Sequence, residues 1–219
     1  MTSHVWGAWE LTKVPTAASK GEEVRKCTGC EMTESRDVAK LSHPFVDVEP
    51  GRFYEAPVVW AVANGITNGV DPTHFAPDKI CSRAEVVTFL WRASGKPEPV
   101  SGVNPFVDVK EGTFYYTAVL WAVEEGITKG TSATEFSPSA ECTRGQVATF
   151  LWRALEEPEV RNPENPFVDA IEGRYYYTAV LWAAESGVTK GMDDTHFAPD
   201  ALCNRGQIVT FLHRALNLK

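Results

Sequence analysis

Hydrophobic positions in this chain come in short helical bursts that return at a fixed interval. The stretch TFYYTAVLWAVEEGI is apolar around most of its circumference, the pattern of a helix buried on several sides. A loop punctuated by Gly and Pro follows, TKGTSATEFSPSAE, and then VATFLWRA, with apolar residues again at helical spacing. The same succession occurs upstream and downstream. FVDV at Phe45 returns at Phe106 and, as FVDA, at Phe167, each step being 61 residues (45 to 106, 106 to 167). That interval also relates Trp60, Trp121 and Trp182, then Cys81, Cys142 and Cys203, then Arg83, Arg144 and Arg205.

Each copy therefore predicts two helices. Gly65, Gly126 and Gly187 stop the first. Ser82-Arg83-Ala84-Glu85, Thr143-Arg144-Gly145-Gln146 and Asn204-Arg205-Gly206-Gln207 open the second as capping boxes, the Asn version more loosely. Phe136 is placed to pin the intervening loop to the core. No alternating strand pattern interrupts the copies. The joints SGKPEPVSGVN and LEEPEVRNPEN read as short extended linkers. Equal repeats on equal linkers favour a closed pseudo-threefold bundle over an open solenoid with atypical end caps. The first 44 residues differ: EEVRKCTGCEMTES alternates like strands around a turn at Thr28-Gly29. The expected fold is mainly α, three helical repeats (45–98, 106–158 and 167–219) forming one unit behind a small β-rich module or linker at 1–44.

At 219 residues the chain can bury a substantial core, and its formal charge of −8 repels polyanions. General nucleic-acid binding is thereby disfavoured, although a local basic cluster can still take an acidic ligand. No apolar run approaches membrane-spanning length, so no membrane insertion is expected. MTSHVWGAWE lacks the charged and apolar regions of a signal peptide, and the repeats suit a piece of a longer secreted chain.

The Phe-x-Asp opening, the apolar helix with Trp and Ala, the Gly-x-x-x-Gly region, the Phe-x-Pro loop and the Arg-containing helix start resemble the S-layer homology (SLH) repeat, three times over from residue 45 to 219. The resemblance implies a pseudo-threefold helical assembly whose inter-repeat grooves bind pyruvylated secondary cell wall polysaccharide. It further implies an extracellular, cell-wall or surface-layer location, and places Arg83, Arg144 and Arg205 at the family's ligand-binding Arg. The sequence departs from the family in having Cys where Ile is usual, Gly-Gln for Ala-Glu in two copies, and His213 where Trp91 and Trp152 stand. The grooves are thus expected to be unequal. The N-terminal segment resembles a small β-rich module found beside such repeats in secreted bacterial proteins.

An Arg in the first turn of a helix faces the positive end of the macrodipole, at a cost of about 0.3–1 kcal/mol. Three such placements require a compensating anion, either an ion pair with Asp47, Asp108 and Asp169 or a ligand carboxylate gripped bidentately. Both partnerships hold if the Asp positions the Arg fork. Trp60, Trp121 and Trp182 read as core or as stacking surfaces for sugar at a groove edge. Tyr115-Tyr116 and Tyr176-Tyr177 sit at helix starts where a ring can also meet sugar. Glu85, Gln146 and Gln207 are explained by capping, whereas Gly145 and Gly206 imply close approach of a ligand or a neighbouring helix. The candidate polysaccharide-binding set is therefore the three Arg, the three Asp and these three Trp.

Cys81, Cys142 and Cys203 read as buried free thiols, with convergence on a metal at the pseudo-axis as the alternative. Cys27 and Cys30 leave open a local disulfide, reduced thiols, or a zinc site with His4 and His43. No metal or cofactor is expected, and no catalytic motif appears. The expected role is a noncatalytic wall-anchoring module whose partners are wall polysaccharide and other surface proteins. The alternative is a protein-interaction or surface-layer assembly module.

Overall fold

The computed structural model describes residues 4–13, 15, 19–40, 43–162 and 164–218. Pro163 of the second linker lies outside the described residues, as do parts of the N-terminal segment. The elements are three strands, β1 (Glu10–Lys13), β2 (Gly21–Lys26) and β3 (Thr33–Val38), and six helices, α1 (Glu55–Ala63), α2 (Arg83–Ala93), α3 (Tyr116–Glu124), α4 (Arg144–Ala154), α5 (Tyr177–Glu185) and α6 (Arg205–Leu216). They fall into two compact units, Met1–Glu49 with Asn68–Phe75, and Pro50–Thr67 with Ala76–Lys219.

The first unit contains an antiparallel sheet in the order β1-β2-β3, with β2 and β3 joined as the predicted hairpin. Its cross-strand partners Glu23–Arg36 and Arg25–Glu34 close ion pairs at 2.7 and 2.5 Å. Trp9 packs against both guanidinium groups, 4.6 Å from Arg25 and 4.3 Å from Arg36. Two strips of the first repeat belong to this unit. Val46 N–H donates to Thr73 O (2.8 Å), Phe75 N–H donates to Asp47 Oδ1 (2.9 Å), and the buried rings of Phe45 and Phe75 meet at 5.8 Å. Packing thus divides the chain at 49/50 and at two further points within the first repeat, where sequence similarity alone places a boundary at 44/45.

The second unit holds all six helices. Every predicted capping box forms, the Asn204 version included, with the cap side chain accepting from the N–H of Glu85, Gln146 or Gln207. The first helices end as predicted too. Gly65 takes the left-handed conformation (φ +65°), Gly65 N–H bonds Val62 O and Ile66 N–H bonds Ala61 O, the two-bond Schellman termination. Among the described residues of this unit, helices of 9 to 12 residues are the only regular elements longer than a bridge, yet they hold less than a third of the chain. The expectation of a mainly α protein is corrected to that extent: ordered loops form much of each repeat.

Helix packing in this unit is cyclic. The second helices α2, α4 and α6 touch one another pairwise, and each first helix packs on the second helix of the preceding repeat: α3 on α2, α5 on α4, and α1 back on α6. The closure extends to the backbone. Cys81 N–H donates to Cys203 O (3.2 Å), Cys203 N–H to Cys142 O (2.9 Å) and Cys142 N–H to Cys81 O (3.0 Å), a ring of three hydrogen bonds among equivalent residues. Satisfying these groups mutually lets three chain segments meet in a dry centre. The side chains there are buried free thiols, and burial pushes those of Cys81 and Cys142 up to about 12. They do not form a metal-binding group; among the described residues the only such group is His4, Cys27 and Cys30.

Gly145 and Gly206 are explained by the same closure. A Cβ on Gly145 would lie 3.0 Å from Pro199 O and 3.1 Å from the Tyr176 ring; on Gly206 it would lie 3.0 Å from the Tyr54 ring. The close neighbour is the next repeat, not a ligand. Where Ala84 keeps its methyl, Tyr115 at the matching position is half-buried, whereas Tyr54 and Tyr176 are buried.

In the reduced protein, stripped of metal ions by a chelator, an alkylating agent at pH 8 is predicted to modify Cys27 and Cys30 and to spare Cys81, Cys142 and Cys203 until denaturant is added, as read by mass spectrometry. Replacing the buried three by Val should leave the fold intact, because their contribution to the ring is made by the backbone.

Candidate functional site

Arg83, Arg144 and Arg205 open α2, α4 and α6 and are only 4%, 2% and 3% exposed. Each reaches out of its own repeat. Arg83 Nε donates to Phe136 O (3.0 Å), with its guanidinium 4.9 and 5.3 Å from the rings of Phe136 and Phe150. Arg144 repeats the arrangement one repeat later, donating to Phe197 O (2.8 Å) against Phe197 and Phe211. Arg205 lies 5.0 Å from the Phe89 ring and donates through Nη2 to Thr67 Oγ1 (3.3 Å).

The expected Asp–Arg ion pairs do not form at Arg83 and Arg144. Among the described residues neither has a carboxylate within 4.0 Å. Asp108 instead accepts from the N–H groups of Phe136 (3.0 Å) and Ser137 (2.7 Å), and Asp169 from those of Phe197 (2.8 Å) and Ala198 (2.7 Å). Ser137 and Ala198 sit in the left-handed region (φ +58° each) immediately before a proline, a strained conformation for residues with a side chain. The carboxylates hold that strain, and the loop carbonyls so fixed are the acceptors for Arg83 and Arg144. Asp and Arg are therefore linked through the loop backbone. Asp47 accepts from Phe75 N–H in the same manner.

Trp121 and Trp182, proposed from the sequence as groove residues, are buried in the core, and Trp60 is half-buried with its ring edge-on to His213 at 5.2 Å. The exposed aromatics are Phe53, Phe114 and Tyr175, at 54%, 61% and 53%. Each precedes a more buried tyrosine and contacts it edge-on. Sequence reasoning named the pairs Tyr115-Tyr116 and Tyr176-Tyr177, which follow these exposed rings along the chain. The 61-residue interval relates Phe53, Phe114 and Tyr175 as well and was the available signal.

Two grooves result. The first, of about 420 Å³, has Arg83 from repeat one, Lys129, Gln146 and Arg153 from repeat two, and Tyr175 from repeat three. The second, of about 310 Å³, has Arg144, Lys190, Gln207 and Arg214, with Phe53 from repeat one. Burial holds both Arg83 and Arg144 below their usual pKa, opposed at longer range by the charges of Asp108 and Asp169. The lysines, missed at the sequence level, share the 61-residue register, with Asn68 standing at that position in repeat one.

At the third equivalent Arg the charges are different. Glu85 replaces Gln146 and Gln207, and its carboxylate lies 2.7 Å from Lys79 Nζ and 3.9 Å from Arg205 Nη1. Burial opposes its ionisation, yet the hydrogen bonds from Lys79 and Ser82 N–H and the nearby Arg205 keep its pKa below the usual range. Arg205 thus has a carboxylate within 4.0 Å, whereas Asp108 and Asp169 act on Arg83 and Arg144 only at longer range.

In the sheet unit, Cys30 Sγ lies 3.5 Å from His4 Nδ1, and hydrogen bonds, the Gly29 N–H foremost, lower the Cys27 thiol to about 6. His43, the other histidine considered for a metal, is buried elsewhere, accepting from Phe45 N–H at 3.2 Å.

Comparison with known proteins matches the S-layer homology domain to residues 44–87, 105–148 and 166–209. The chain belongs to the S-layer homology domain family. Among the similar proteins, the Surface-layer 125 kDa protein of Lysinibacillus sphaericus is 34% identical over 69% of this chain and 13% of its own length. The Endoglucanase of a Bacillus species (strain KSM-635) is 32% identical over 54% of this chain and 12% of its own. A Cellulosome-anchoring protein of Acetivibrio thermocellus is 26% identical over 65% and 33%. The SLH chain spans 13% to 33% of the length of the surface-layer and anchoring relatives, and the segment shared with the endoglucanase is a small part of that enzyme. No helix among the described residues is long and apolar enough to cross a membrane.

The buried geometry predicts that the SLH arginines are needed for folding. Arg83→Ala should lower unfolding free energy by about 2–4 kcal/mol in denaturant titrations, through lost packing and an orphaned carbonyl. Asp108→Ala should cost a similar amount, and Asp108→Asn less, because it keeps one acceptor for the loop.

Proposed function

We propose that this SLH module anchors its protein at the cell surface by taking acidic substituents of a secondary wall polysaccharide into the Arg83 and Arg144 grooves. The family and the surface-layer and anchoring relatives support a cell-surface role. The observation that carries the finer reading is the pair of buried guanidinium groups whose hydrogen-bond acceptors are backbone carbonyls rather than carboxylates, each rimmed by a lysine. A buried cation is costly unless paired, so an incoming carboxylate gains more there than at an exposed lysine. A pyruvyl ketal presents that carboxylate on a sugar ring, and the Tyr175 or Phe53 face gives the ring a stacking surface. The module acts by binding, without catalysis, and two modest grooves engaging one polymer raise the effective affinity.

The two occupied grooves are those of Arg83 and Arg144. The Arg205 position, where Glu85 offsets part of the charge and Asn68 stands in the register of Lys129 and Lys190, is assigned the smaller share. This reading distinguishes the module from a surface-layer assembly or protein-interaction device, for which polymer charge would be immaterial.

Because Ala at the arginines compromises folding, the lysines are the clean probes. Lys129→Glu and Lys190→Glu should each weaken binding to purified pyruvylated wall polysaccharide about tenfold at low salt, with melting temperature preserved. Both effects should shrink as salt is raised. If the double variant pulls down with the wall polymer as well as the unaltered protein does, the grooves are not the binding site.

A further inference from the structure

The strands of this unit bury little apolar surface of their own. All four residues of β1 are exposed, as are five of the six in β3. One face is held by ion pairs and by Trp9 against Arg25 and Arg36. A small sheet with so little apolar burial gains stability from a supplementary cross-link, commonly a metal or a disulfide.

Such a cross-link has its components at one end of the sheet. Cys27-Thr28-Gly29-Cys30 forms the tip of the β2–β3 hairpin, closed by Cys27 N–H to Met32 O at 2.9 Å. The segment before β1 is brought to this tip by Thr28 N–H to Val5 O and Gly7 N–H to Lys26 O, both 2.8 Å. His4 is thereby delivered beside the two sulfurs, and one ligand atom from each of His4, Cys27 and Cys30 lies within 4.8 Å of the others. Around a tetrahedral zinc, bond lengths of about 2.0–2.3 Å set ligand-to-ligand separations of roughly 3.5–3.8 Å. The Cys30–His4 pair already stands at 3.5 Å. The Gly29 N–H directed at Cys27 Sγ is the second interaction a metal-bound thiolate needs.

We propose that His4 Nδ1, Cys27 Sγ and Cys30 Sγ bind a Zn²⁺ ion, which ties the segment preceding β1 to the β2–β3 hairpin and stabilises the sheet unit. Three protein ligands leave a fourth position to solvent or to an oxygen or nitrogen donor. Binding displaces the thiol protons and requires both sulfurs to be reduced, since a Cys27–Cys30 disulfide would remove two of the three ligands. The proposal is independent of the groove assignment, because it concerns other residues and another unit.

The test uses the full chain, reduced and stripped with a chelator, then titrated with Zn²⁺ or with Co²⁺ as a spectroscopic probe. One equivalent of Co²⁺ should produce thiolate-to-cobalt absorption in the near ultraviolet and the visible bands of a tetrahedral site. Added Zn²⁺ should bleach both and slow amide hydrogen exchange across the hairpin. His4→Ala, Cys27→Ser and Cys30→Ser should each weaken Co²⁺ binding at least about tenfold while leaving the helical circular dichroism unchanged. A reduced chain that gives no cobalt bands overturns the proposal. So do bands that survive in the Cys27→Ser/Cys30→Ser double variant, since they would belong to other ligands.

Discussion

Three arginines are carried across repeat boundaries into near-complete burial, and the helical unit is organised around that requirement. An Arg at a helix N-terminus is disfavoured by the macrodipole and again by desolvation. The protein offsets both with aromatic faces and with loop carbonyls from the following repeat, and the carboxylates of Asp108 and Asp169 hold those loops in a strained left-handed turn. Each repeat therefore completes the packing of its predecessor. The cyclic order of the helices and the ring of hydrogen bonds through Cys81, Cys142 and Cys203 close the same unit.

The same atoms set the charge of the grooves. At Arg83 and Arg144 the contact partners are neutral loop carbonyls, with Asp108 and Asp169 acting at longer range. At Arg205 the charge is met in part by Glu85, itself held by Lys79. A single change in the capping box, Glu for Gln, thus separates one repeat junction from the other two. In the proposed reading, stability and recognition are joined at the arginines and separable at the lysines.

Much of this was legible in the sequence because it was local and repeated. Helix starts followed from capping boxes, helix ends from Gly65, Gly126 and Gly187, and the identity of the three arginines from their interval. What remained hidden depended on which repeat each side chain faces. Asp108 and Arg83 belong to neighbouring repeats, so opposite charge suggested an ion pair where the chain places a loop backbone between them. Trp121 and Trp182 read from the sequence as core, with sugar stacking as the other reading, and packing places them in the core. Phe53, Phe114 and Tyr175 are adjacent in sequence to the buried tyrosines, and one residue of helical rotation decides which ring meets solvent. His4 is distant in sequence from Cys30, and the contact between them becomes visible only once the strands are paired.

The central claim is that groove charge, fixed by how each buried arginine is compensated, determines what the module binds and where. Isothermal titration of the unaltered protein with matched pyruvylated and depyruvylated wall fragments, each short enough to occupy a single groove, measures this most directly. The account predicts two equivalents of pyruvylated fragment bound per chain, with affinity falling as salt rises, and at least tenfold weaker binding of the depyruvylated form. Equal affinity for the two fragments, or three equivalent sites, would contradict it.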